Sequence, residues 1–164
     1  MAIRKIRTIG DEILRKHCKP VKEVTPRINE LIEDMFETMY DSNGVGLAAS
    51  QVGVLKQIVV IDVEDGNQYV LINPEIMETS GSQTGPEGCL SVPGKSGTVT
   101  RPEYVKIKAY DADMKLYELE GEGLLARAIC HECDHLNGDL YVDKVEGELE
   151  DVTPDEDEEG EVEE

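Results

Sequence analysis

The stretch Ile129–Gly138, "ICHECDHLNG", gathers two histidines, a glutamate, an aspartate and two cysteines within ten positions. On a helix, His131 and His135 at i and i+4 stand one above the other, so both imidazoles reach a single cation. Glu132 sits beside them, where a base acting on water at that cation belongs. The same five-residue pattern also arises on helices whose His and Glu are only solvated. A catalytic site further requires a third protein ligand and one open position. Cys89, in the glycine-rich connection "GPEGCLSVPG", is a candidate whose thiolate suits Fe(II), Zn(II) or similar ions. Its plain alternative is a small buried hydrophobe. In "GVGLAASQVG", read as a loop of small residues that let backbone approach a ligand, Gln51 is the long polar side chain. Its amide suits a developing oxyanion, the alternative being a surface amide on a tight turn.

The elements that would position these residues follow from periodicity. In "TPRINELIEDMFETMYDSNG", Ile28, Leu31, Ile32, Met35, Phe36, Met39 and Tyr40 recur in steps of three and four, which predicts one apolar helical stripe. Thr25 suits its N-cap, Pro26 its first turn and Asn43-Gly44 its stop. A shorter helical turn is expected over Asp11–His17. "QIVVIDV" and "QYVLINP", separated by Glu64-Asp65-Gly66-Asn67, read as a hairpin. "YVKIKAYDA" and "KLYELEGEG" alternate as strands, and a final helix is expected from about Leu124 to Leu136 with Asn137-Gly138 as its cap. The expected fold is α+β: a mainly antiparallel or mixed sheet packed around a central HExxH-bearing helix, with a long N-terminal amphipathic helix.

Composition narrows the function class. The 164 residues are 39% apolar, as a globular chain of one domain requires. Six Tyr, one Phe and no Trp leave little with which to stack bases. The net charge is −20; twelve acidic and no basic residues lie from Glu146 onward, which leaves residues 1–145 at −8. An acidic body argues against direct nucleic-acid binding. The expected domains are a catalytic body over 1–146 and an acidic, disordered tail over 147–164. No apolar run reaches membrane-spanning length and the start lacks a secretory h-region, so a cytoplasmic location without membrane contact is expected. In that compartment four cysteines suggest thiols or metal ligands rather than disulfides.

Taken together and in this order, "GVGLAASQ", "EGCLS" and "HECDH" resemble the peptide deformylase family. Flanking segments such as "DEILRKHCKPV", "NPEI", "RPE", "EGLLARA" and "HLNG" extend the resemblance over about residues 3 to 145. It implies that Cys89, His131 and His135 bind a divalent metal with water in the fourth position. Fe(2+) is the ion implied first, with Zn(2+), Ni(2+) and Co(2+) also used among relatives. The implied substrate is the N-terminal formyl-methionine of newly made polypeptides, and the products are formate and a free amino terminus. Glu132 would move the proton, while Gln51 and the backbone N–H of Leu90 would hold the oxyanion. The peptide would add as a strand along Gly44, Val45 and Gly46, with Val45, Leu90, Leu124 and the His131 ring around the methionine side chain.

Departures from the family pattern carry expectations too. Many relatives have Gln where Cys130 stands. On a helical wheel Cys130 and Cys133 turn about 100° and 160° from His131, so Cys-x-x-Cys reads as packing rather than as a zinc or redox pair. Asp134 has no assignable partner, and His17 lies outside every motif. Many relatives also carry an Arg shortly after the "CLSVP" proline that holds substrate backbone; here the stretch is Gly94-Lys95-Ser96, so that contact is lost or passes to Lys95. Some relatives end in a basic helix linked to the ribosome, and ribosome association here would have to use another surface. Two rival readings remain at this level: an HExxH peptidase cutting internal bonds, and a non-catalytic metal-binding module. A cysteine ligand upstream of the helix argues against the first, and the presence of both Gln51 and Glu132 argues against the second.

Overall fold

A computed structural model describes residues 2–152. Helix α1 (Pro26–Asp41) starts where Thr25 accepts the Ile28 N–H and buries Ile28, Leu31, Ile32, Met35 and Met39. Phe36 lies at the edge of that stripe, and Tyr40 is exposed, its hydroxyl donating to Asp62 at 2.6 Å. The left-handed turn after the helix falls on Asn43 (φ 59°), a residue type that tolerates it. The shorter helical turn is a 3-10 segment, Glu12–Arg15, tighter than expected.

Five strands form the first sheet in the order β1 (Gly46–Ala48), β2 (Ile58–Ile61), β3 (Tyr69–Ser80), β6 (Tyr104–Tyr110), β7 (Leu116–Glu122), all antiparallel. Strand β2 shows why the order works. Its unbroken run Ile-Val-Val-Ile is apolar on both faces because both are covered: Ile58 and Val60 join the α1 cluster, Val59 and Ile61 the α2 cluster. On β6, alternation is enough, since Val105, Ile107 and Ala109 face the core while Lys106 and Lys108 reach Glu118 and Glu75. Strand β3 bends at Asn73-Pro74, where Asn73 has φ 54° and its amide clasps both the N–H and C=O of Val21 at 2.8 Å.

Helix α2 (Leu124–Leu136) follows β7 directly and packs Ala126, Ile129, Cys130 and Leu136 into the sheet core. A second sheet of three antiparallel strands, β4 (Gln83–Cys89), β5 (Val92–Arg101) and β8 (Glu146–Asp151), lies in the order β4-β5-β8.

Three expectations need correction here. The stretch holding Cys89 is no loose connection but a hairpin: Cys89 ends β4, and Leu90-Ser91 forms the turn into β5. Its glycines and prolines masked the strand pattern. The "GVGLAASQVG" stretch is likewise strand β1 followed by a 3-10 turn, Ala49–Val52. The body also continues beyond Glu146, since Glu146–Asp151 pairs with β5 despite being exposed and acidic; charge on an edge strand is compatible with pairing on its other side. The rest of the acidic stretch, 153–164, lies outside the described residues. Among those residues no helix is long and apolar enough to cross a membrane.

Candidate active site

Helix α2 and the β4–β5 hairpin meet at Cys89, His131 and His135, whose ligand atoms all lie within 4.8 Å of one another. Cys89 Sγ stands 3.4 Å from His135 Nε2. A set this tight can close around one first-row cation, whose bonds to sulfur and nitrogen run about 2.0–2.3 Å. The two imidazoles are one helical turn apart, ring centroids 5.1 Å from each other, as i,i+4 spacing requires.

The histidines are oriented differently. His131 Nδ1 faces Glu87 Oε1 at 2.9 Å; the carboxylate can only accept, so Nδ1–H donates and Nε2 is the ring atom at which a cation can take the place of a proton. Burial pulls the His131 pKa down, but Glu132, Cys89 and Glu87 outweigh it and raise it to about 10. The same anionic surroundings favour a metal cation at Nε2. His135 is wholly buried; burial, with His131 and Arg101, lowers it to about 3 and keeps it neutral. Its Nδ1 has no partner among the described residues.

Glu132 is buried on the same helix. Burial raises its carboxyl to about 7, His131 opposing and Glu87 adding to the rise, which is the range a general base needs at neutral pH. Its Oε1 is buried with no hydrogen-bond donor among the described residues, a costly state unless the site supplies one. Its other oxygen is held close under β1: a methyl at Gly46 would stand 2.6 Å from Glu132 Oε2, so this position has no room for a side chain.

Gln51 is buried, not a surface amide. The Ala48 N–H donates to its Oε1 at 2.9 Å, which turns Nε2 toward Ser91 Oγ at 3.0 Å and Cys89 Sγ at 3.6 Å. The N-terminal segment backs this corner, with Arg7 N–H donating to Gln51 C=O at 2.7 Å and Ile9 N–H to Ser91 C=O at 2.8 Å. A cleft of about 690 Å³ opens over these groups, lined among others by Gly44, Val45, Leu90, Leu124, His131 and Glu132. Val45 and Leu124 are exposed, 37% and 52%, so they are free to serve a ligand rather than the core.

Residues without an assigned role in the sequence reading hold the site together. Buried Glu87 accepts from Arg101 Nε and Nη2 at 3.0 and 2.7 Å and from Arg127 Nη1 at 2.6 Å, besides His131. Burial would raise its carboxyl, but Arg101 first and then His131 hold it well below the usual carboxylate range. Arg101 also reaches Asp134 at 2.7 Å, the partner that Asp134 lacked in the sequence. The available signal was Arg127 inside the apolar run "LLARAIC", since a cation there needs a buried anion. Cys130 and Cys133 stay out of the ligand set: Cys130 is buried in the core, Cys133 packs against it, and burial raises both thiols, Cys130 to about 11. His17 is exposed.

The family model described as polypeptide deformylase matches residues 3–150. The chain belongs to the polypeptide deformylase family. A peptide deformylase of Lachnoclostridium phytofermentans is 64% identical over 163 residues, 98% of this chain and all of that one. One of Agathobacter rectalis is 66% identical over 153 residues, 93% of this chain and 96% of the other. Among solved structures, a Legionella pneumophila peptide deformylase superposes with a TM-score of 0.85 at 50% identity, covering 88% of this chain and 86% of that one. A Synechococcus elongatus peptide deformylase, solved in complex with actinonin, gives 0.84 at 45% identity over 87% and 78% of the two chains. As a family member the protein is an enzyme that removes N-formyl groups, and the family implies a divalent metal. Cys89, His131 and His135 form a donor set that could hold such an ion.

Proposed function

We propose that this enzyme removes the formyl group from the N-terminal formyl-methionine of newly made polypeptides in the cytoplasm, releasing formate. The observation that carries the reading is the buried Oε1 of Glu132, without a donor among the described residues, beside three convergent ligand atoms at the floor of an open cleft. In this reading α2 is the central element, with both sheets and α1 disposed so that its His131–Glu132–His135 turn faces the cleft. The catalytic body runs to Asp151.

Cys89, His131 and His135 would hold the metal, Fe(2+) first and Zn(2+), Ni(2+) or Co(2+) as alternatives, a mixed thiolate and imidazole set being compatible with each. When bound, the ion would supply Lewis acidity to the attacking water and the formyl oxygen. Glu132 takes the proton from that water and delivers it to the departing amine, a two-way role suited to a carboxyl near 7. Gln51 Nε2 and the Leu90 N–H at the hairpin turn hold the oxygen as it gains charge; the Ala48 contact fixes the amide in advance. Strand β1 is the edge of its sheet, so a peptide can add along Gly44–Gly46 through backbone bonds alone. Its methionine side chain would lie among Val45, Leu90, Leu124 and the His131 ring.

The test compares formate release from formyl-Met-Ala-Ser with cleavage of acetyl-Met-Ala-Ser and of an internally blocked peptide, using protein purified without oxygen and assayed for bound metal. Release from the formyl peptide alone, blocked by actinonin, is expected. Cleavage of internal bonds would establish the peptidase alternative instead.

A further inference from the structure

Besides His131, the cleft is lined among the described residues by two carboxylates, Glu87 and Glu132, and by one lysine and one arginine, Lys95 and Arg127. Glu87 and Arg127 are buried against each other, and Glu132 is buried below Gly46. Lys95 on β5 is the one that solvent and a bound peptide can both reach, its side chain 45% exposed.

The Lys95 ammonium is not free. In the β5–β8 ladder Asp151 lies directly opposite Lys95, and its carboxylate pairs with Lys95 Nζ. Cross-strand neighbours of this kind have Cβ atoms about 4.5–5.5 Å apart, so the ladder itself enforces the pairing. The register is fixed one residue further on, where Val152 N–H donates to Gly94 C=O at 2.8 Å. Val152 and Gly94 both line the cleft, so the end of β8 is part of its rim. Glu148 and Glu150 precede Asp151 on the same exposed strand.

We propose that Asp151 is a specificity-determining residue: by pairing with Lys95 across the β5–β8 ladder, it withholds the one reachable cation of the cleft wall from the peptide. The site therefore discriminates against acidic residues following the formyl-methionine. An acidic substrate meets a rim whose positive charge is already matched and whose neighbouring strand is anionic. Removing the Asp151 charge turns Lys95 into a partner for that substrate. The effect is modest because both partners are exposed and screened. This inference rests on the hydrolase reading above.

The experiment measures kcat and KM for formyl-Met-Ala-Glu and formyl-Met-Ala-Lys at low ionic strength. It uses the metal-loaded full chain, its Asp151→Asn and Lys95→Met variants, and the double variant. In Asp151→Asn the ratio of kcat/KM values should move roughly two- to fivefold toward the Glu peptide, through KM, the size expected of an exposed charge pair. The shift should vanish when Lys95→Met is added, and at about 1 M salt, where the screening length falls to roughly 3 Å. An unchanged ratio, an equal loss for both peptides, or a shift that survives in the double variant would overturn the role of Asp151. Absence of formate release from either peptide by the unmodified enzyme would instead overturn the hydrolase reading, and this inference with it.

Discussion

Helix α2 and the β4–β5 hairpin deliver ligand atoms to the same point by different means. The helix carries His131 and His135 one turn apart, so their mutual placement is set by 1.5 Å of rise and 100° of turn per residue, about as local as structure can be. Cys89 depends on a strand end whose position is fixed by distant partners: Glu87, two residues before it, is tied to Arg101 on β5 and Arg127 on α2. The helix thus supplies geometry, and the hairpin must be held against it. Glu87 is the joint, touching His131 on one side and the hairpin's own arginine on the other.

Removing the hairpin's contribution should have the largest effect. Cys89→Ala is expected to lose tight metal binding and formate release together, with some thermal stability, because metal binding is linked to folding. Metal content and melting temperature of the purified variant check this; a variant that keeps its metal would detach Cys89 from the site. On the helix side, Glu132→Gln should retain the metal and the fold while formate release drops by roughly 10²–10⁴-fold, the usual contribution of a general base. Near-normal turnover at unchanged metal content would remove Glu132 from proton transfer. Gln51→Ala should lower kcat by roughly 10²–10³-fold, more than it raises KM, as loss of a donor to developing charge does. A change confined to KM would make Gln51 a positioning residue.

The joint can be probed through pH. The folded-state pKa of Glu87 is depressed, so its contribution to stability is fully present above the unfolded value of about 4.3 and is lost as pH falls toward the folded value. Glu87→Gln should cost about 3 kcal/mol at neutral pH, since it leaves buried arginines short of an anion, and weaken metal binding by about 10–100-fold. It should also flatten the fall in stability on acidification, read from melting temperatures between neutral pH and the acid limb. An acid limb identical to that of the unmodified protein would mean that another carboxylate governs it. The smallest effects belong to the other helix face: Cys130→Ala and Cys133→Ala should keep metal and turnover, at a packing cost of about 1 kcal/mol each. Loss of metal from either would reopen the Cys-x-x-Cys reading.

The same contrast explains what was legible beforehand. The i,i+4 histidines, the α1 stripe with its Thr25 cap and the bounds of α2 are local patterns, and the structure reproduces them. Strand β4, "QTGPEGC", has neither alternating apolar residues nor β-branched enrichment, so its pairing with β5 left no trace in periodicity. Burial of Gln51 is equally non-local, depending on Ser91 forty residues away. The Glu87–Arg101–Arg127 cluster needed three distant segments to be superposed before its charges could be matched. Strand β8 was hidden by its charge, since "EGELED" reads as solvated chain until β5 is available as a partner.

The first and last described segments both border the cleft: Ile6 lines it, Arg7 and Ile9 brace Gln51 and Ser91, and Asp151 and Val152 close the far rim. A substitution or insertion within either segment is therefore an active-site perturbation in disguise, and kinetic constants from variants altered there are not interchangeable with those of the unaltered chain. Surface immobilisation or a reporter insertion belongs instead at the exposed Asp113 turn between β6 and β7, which lines no part of the cleft.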